Sequence, residues 1–213
     1  MESRGILHRS NQAGFTVHEI LVATTLALAT ASTFLAFNRF QLFALRSQAT
    51  QLNIQTAARS IMDLVAREVR RAGMNPTCAN TFSAIADAEN HELRIQSDLN
   101  GSGAIDGPDE DITYRFSFTH GVITRTAGGT SDVLLSGLDL SGSRFRYFDA
   151  AGNELIPAHS LSSAQRSMVR RVRLELALEG SAADPTTSGP LQARASTDVD
   201  VRNRFFVTST ACP

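Results

Sequence analysis

The sequence predicts an α+β fold in which one very long N-terminal helix is followed by an antiparallel sheet domain. Three observations carry this expectation. No proline or glycine interrupts residues 15–72, an apolar stripe at spacings of four and three runs through the second half of that stretch, and beyond residue 73 the chain breaks into short alternating runs separated by Gly, Asn and Asp turns. With the N-terminal segment set aside, the remainder suffices for one globular domain of about 140 residues.

Taken in order, residues 1–14 form a polar leader with Arg4, His8 and Arg9 against Glu2. It lacks the apolar run that a secretory signal peptide carries before its cleavage site. The apolar run comes after Gly14 instead, and the basic leader predicts a cytoplasmic N-terminus with the bulk of the chain across the membrane. Residues 15–38 read as a transmembrane helix. Ile20 to Asn38 is uncharged, and at 1.5 Å per residue it spans roughly 28 Å, close to the hydrocarbon thickness. Within it Ala23, Thr24, Thr25, Ala27, Ala29, Thr30 and Ala31 are small enough for another helix to approach closely. Glu19, near its start, is a carboxylate that costs at least a few kcal/mol in hydrocarbon unless it finds a partner.

Residues 39–73 continue the same helix as an amphipathic half. Ile54, Ala58, Ile61, Val65, Val69 and Ala72 make the stripe, giving one helix from Phe15 to about Arg71, roughly 85 Å long. Gly73 and Pro76 end it. Asp63, Arg67, Glu68, Arg70 and Arg71 interleave with the stripe and read as a solvated face, with Asp63 and Arg67 as an i,i+4 pair.

Residues 74–213 read as a β-rich head. Strands are expected at Glu92–Ser97, Asp111–Thr119, Val122–Thr126, Asp132–Leu135 and Arg144–Phe148, with a hairpin turn at Ala151-Gly152-Asn153. A long strand carries Val172, Leu174, Leu176 and Leu178 on one side. The last strand carries Thr197, Val199, Val201 and Phe205 on one side and Asp198, Asp200, Arg202 and Arg204 on the other. If these two strands are antiparallel neighbours, Arg171 or Arg173 faces Asp198 or Asp200. Ser181 to Pro190 reads as a flexible connection.

At its N-terminus the chain resembles a known family. Gly14-Phe15-Thr16-Val17-His18-Glu19-Ile20-Leu21-Val22-Ala23 is similar to the processing motif of type IV pilins and of the pseudopilins of type II secretion. The resemblance implies a type IV pilin fold and cleavage of the 1–14 leader between Gly14 and Phe15 by prepilin peptidase. It further implies N-methylation of the new Phe15 amine, and a subunit-assembly role for Glu19 as the fifth mature residue. His18 departs from the aliphatic residue more usual there. The segment from Ala58 to Gly73, with Cys78 soon after, is similar to the second half of the long helix in PilW-like minor pilins. Partners implied are other minor and major pilins, the inner-membrane assembly platform and, before assembly, the lipid bilayer. The implied function is a minor pilin that helps initiate or cap a type IV pilus. The alternatives are a minor pseudopilin, which neighbouring genes would discriminate, and a membrane-tethered adhesin or binding domain, which would keep its function after Glu19→Ala.

Two further features bear on chemistry. The only cysteines are Cys78 and Cys212. In an oxidising compartment they fit a disulfide worth about 4 to 5 kcal/mol in the chain-entropy account, the alternative being two buried thiols. Residues 98–109 follow a twelve-residue calcium loop: Asp98, Asn100, Ser102, Ala104, Asp106 and Asp109 occupy the ligand positions, Ala104 at the carbonyl place, with Gly103 at the turn. Ser102 replaces an acid, Asp109 is shorter than the usual Glu, and strands rather than helices flank the loop. A calcium ion and a Gly-rich solvent turn both fit this pattern, and no cofactor is required by it.

No enzyme is expected. His91, His120 and His159 stand apart in sequence, and no HExxH, GxSxG or phosphate-binding glycine loop is present. A formal net charge of −1, no Trp and no basic aromatic stripe give no reason to expect nucleic acid. All 20 basic residues are Arg, which reads as compositional bias rather than as chosen recognition.

Overall fold

A computed structural model describes residues 14–78, 82–183 and 190–202. Helix α1 runs without a break from Val17 to Arg71. The chain divides after Leu45 into two units, which are described in turn.

In the first unit every residue from Gly14 to Phe37 is exposed, including Leu26, Leu28, Phe34 and Phe37. This part of α1 is long and apolar enough to cross a membrane by length and composition. Its hydroxyls are satisfied within the helix. Thr24 donates to the Ile20 and Leu21 carbonyls, Thr25 to Leu21 and Val22, and Thr30 to Leu26 and Ala27, at 2.9–3.1 Å. Hydroxyls paired in this way remove the main penalty that threonines would carry in hydrocarbon.

In the second unit the expected stripe is buried. Ala58, Ile61, Met62, Val65, Ala66, Val69 and Ala72 join one hydrophobic core, with Ile54 packed at its margin. Each fully buried valine contributes about 1.5–3 kcal/mol of transfer free energy. The helix ends at Gly73, whose φ of 77° only glycine adopts without strain, and the Gly73 amide donates to the Gln96 carbonyl at 2.8 Å.

Strands β1 (Ile85–Ala88), β2 (Glu92–Gln96), β3 (Asp111–Ser117), β4 (Val122–Ala127) and β5 (Thr130–Ser136) form an antiparallel meander in sequence order. Leu93, Ile95, Ile112, Tyr114, Phe116 and Ile123 point from it into the core. Strands β6 (Arg144–Phe148), β7 (Glu154–Leu155), β8 (Arg171–Ala183) and β9 (Pro190–Asp200) form a second antiparallel sheet ordered β7-β6-β8-β9. The same core takes Phe145, Tyr147, Val172, Leu174, Leu176, Leu178 and Val199. The two sheets meet where Phe116 and Phe145 pack with ring centroids 5.2 Å apart, and where the Tyr147 hydroxyl donates to the Glu89 carbonyl at 2.6 Å. Burial holds that phenol in its neutral, donating form by raising its pKa well above the usual value.

The β8–β9 register sets Arg171 opposite Asp200 and Arg173 opposite Asp198, as the alternation predicts. Arg173 and Asp198 form a two-point ion pair at 2.8 and 2.9 Å. Three local expectations need revision. Glu68 is buried rather than solvated, and no ion pair joins Asp63 to Arg67 among the described residues. The 181–190 connection is shorter than expected, because β8 extends to Ala183 and β9 begins at Pro190; the residues between them, and Arg204 and Phe205, lie outside the described residues. Strand β1 and helix α2 (Ser163–Met168) were not expected. A capping box, Ser162 with Gln165, nucleates α2.

Candidate functional site

At the start of α1, Gly14 and Phe15 lie exposed ahead of the first helical turn. A methyl group built on Gly14 would meet nothing within 4 Å, so the fold places no demand for glycine there. Thr16 is the N-cap. Its hydroxyl accepts the Glu19 amide at 3.3 Å, while a Glu19 carboxylate oxygen accepts the Thr16 amide and hydroxyl at 3.0 Å each. This reciprocal capping box satisfies orphan donors at the helix start and places the carboxylate at the positive end of the macrodipole. Glu19 therefore has a partner within its own chain. The Thr-x-x-Glu spacing is the sequence signal for it.

Cys78, seven residues past the end of α1, has φ 58° and is not a free thiol. Cys212 lies outside the described residues.

The 98–109 loop is closed on its own backbone. The Asp98 carboxylate, fully buried, accepts the amides of Gly101 (2.7 Å), Ser102 (3.1 Å) and Gly103 (2.9 Å). Asp106 accepts the Asn100 side-chain amide at 2.7 Å and the Ser102 hydroxyl at 3.2 Å, while Asp109 turns to Arg125 at 2.8 Å. Glu110, one place beyond the expected ligand set, holds the loop from inside. Its two oxygens accept the amides of Leu99, Asn100, Asp106 and Gly107 at 2.6–3.0 Å. The bond from Gly107, followed by those from Asp106, Asn100 and Leu99, overcomes desolvation and lowers the Glu110 pKa to about 2. No group of three or more His, Cys, Asp or Glu side chains gathers in a metal-holding geometry among the described residues. For the loop oxygens to take a cation, Asp98 and Asp109 would have to exchange partners they already have.

A buried polar cluster that sequence reasoning missed joins α1 to the first sheet. Glu68 accepts a short hydrogen bond from the Tyr114 hydroxyl and pairs with Arg125, whose Nε lies 3.1 Å from one carboxylate oxygen and whose Nη2 lies 2.9 Å from the same oxygen. The same Nη2 reaches Asp109 at 2.8 Å. Burial, then the Glu68 charge, push the Tyr114 pKa well up, so it donates. Burial opposes the charge on Arg125, but hydrogen bonds to Glu68 and Asp109 outweigh it and hold the guanidinium protonated.

Among the described residues the histidines join no metal-holding group. His91 packs edge-on against Phe116 and Phe118, and burial, then Arg144, lowers its pKa. It borders a surface cleft of about 660 Å³ with Phe118, Arg144, Arg146 and Ile156. Both of those guanidiniums are already paired, Arg144 with Glu175 and Arg146 with Glu154 and Glu175.

An exposed apolar helix that carries a β-rich head, entered through Gly-Phe and capped by Glu19, defines a pilin-like protein. Residues 47–197 match the family described as prepilin peptidase-dependent protein B, and the chain belongs to that type IV pilin-related family. No curated protein and no solved structure matches it.

Proposed function

We propose that this protein is a minor pilin. It enters the inner membrane with its N-terminus cytoplasmic and its head periplasmic, is cut between Gly14 and Phe15 by prepilin peptidase, is N-methylated at Phe15, and helps initiate or cap a pilus. The observation that carries the reading is the uninterrupted helix that is apolar and exposed from Val17 to Phe37 and buries one face, from Ala58 to Val69, in the core of the head. An apolar surface of that extent needs lipid before assembly and other helices after it. The family match supports the reading independently, since it covers residues 47–197 and leaves out the Gly14–Ala23 motif. The glycine at 14, unneeded by the fold, fits recognition by a peptidase. The similarity of the segment from Ala58 to Gly73 to PilW-like proteins supports a minor-pilin role within that family.

In the assembled state Glu19 exchanges its Thr16 partners for the Phe15 amine of a neighbouring subunit, a pairing that sets axial register in a low-dielectric bundle. Glu19→Ala is expected to leave membrane insertion and head folding intact and to abolish incorporation into filaments, read by shear fractionation. Incorporation at the normal level would remove Glu19 from assembly.

Calcium at the 98–109 loop is a separate proposal. Titration of the full chain in detergent should raise its thermal midpoint by several degrees, and Asp98→Ala should abolish the rise. A flat response in the native sequence would eliminate it.

A further inference from the structure

The 98–110 loop and α1 are linked by side chains that the pilin reading does not use. Glu110 gathers four loop amides and so fixes the backbone from which the adjacent Asp109 projects. Asp109 reaches Arg125 on β4, and a single nitrogen of Arg125, Nη2, serves both Asp109 at 2.8 Å and Glu68 on α1 at 2.9 Å. The exposures of the three side chains differ sharply: 59% for Asp109, 17% for Arg125 and 4% for Glu68. Asp109 can therefore trade Arg125 for water at little cost. Glu68 cannot, because a buried carboxylate whose counter-ion drifts away is left without compensation.

We infer that Arg125 couples the conformation of the 98–110 loop to the docking of α1, so that whatever engages Asp109 from outside also sets how firmly the helix is held on the sheet. Asp109 orients the guanidinium, the guanidinium neutralises Glu68, and Tyr114 completes the carboxylate's hydrogen bonding. The first sheet also clamps the loop at its far side. Gly128, in the β4–β5 turn with φ 55°, lies so close to Pro108 that an added Cβ would come within 2.9 Å of it. A second, backbone route joins the same regions through the Gly73 amide on Gln96 and the Asp98 amide on Met74, both at 2.8 Å. Side-chain substitutions leave that route in place, which makes the two routes separable.

The test is hydrogen exchange of the full chain in detergent, comparing amides of residues 58–72 with those of the loop. Asp109→Ala should speed exchange in the helix by about three- to tenfold, and in a Glu68→Gln background the same change should move the helix by less than about twofold. Arg125→Lys, which keeps the charge but offers one point of contact, should reproduce the helix effect and should not add to Asp109→Ala. It serves as the second variant if Glu68→Gln fails to fold. Faster exchange confined to the loop, or equal helix effects with and without the Glu68 carboxylate, would overturn the coupling.

Discussion

Glu19, Glu68 and Glu110 are chemically identical, and their surroundings give each a different role. Glu19 caps an exposed helix start, Glu68 is the buried anion of an ion pair, and Glu110 is the acceptor for four amides. Glu19 was legible because its position after Gly-Phe and before the apolar run is a local pattern. The Thr16 half of its capping box is equally local, a Thr-x-x-Glu spacing at the head of the apolar run. Glu68 was not legible, since Tyr114 and Arg125 lie 46 and 57 residues away and no periodicity announces them. Glu110 falls one place outside the calcium-loop template, whose last position is Asp109. A testable consequence follows from its pKa, about 2 against an ordinary 4.5. A depressed carboxylate adds stability that is complete above about pH 4.5 and is lost as the pH falls towards 2. Glu110→Gln should lower the thermal midpoint at pH 7 and flatten its decline between about pH 4.5 and 2. Parallel acid profiles for the two proteins would contradict this.

Among the elements, those with strong periodicity were readable and the short ones were not. The 3.6-residue stripe located the buried face of α1, and strict alternation in β8 and β9 gave both the burial pattern and the Arg173–Asp198 pairing. Strand β1, with four residues, and α2, with six, are too short to show a period. Only the Ser162–Gln165 capping spacing could have signalled α2. At the end of α1 a disulfide between Cys78 and Cys212 remains a proposal, motivated by the lack of a free thiol at Cys78. Alkylation of the denatured, unreduced protein should find no thiols, and reduction should release two and lower the thermal midpoint. Two thiols before reduction would refute the bridge.

At the scale of the whole molecule, a single helix has an exposed apolar part and a part whose apolar face is packed into a core. Residues 15–45 expose apolar side chains that a water-soluble monomer would have no reason to display, whereas α1 from Ala58 on buries its apolar face in a conventional core. The class of fold was legible because both halves of the helix and the alternating strands are written in local pattern. The division into two sheets that share one core was not, since it depends on contacts such as Phe116 with Phe145 between distant segments. We propose that the exposed half of α1 is an assembly handle uncovered by proteolysis. The most direct test is the mass and N-terminal sequence of the membrane-extracted protein from cells with and without prepilin peptidase. A chain beginning at a methylated Phe15 is expected when the peptidase is present, and one retaining residues 1–14 when it is absent. A chain that still begins at Met1 in the presence of active peptidase would contradict it.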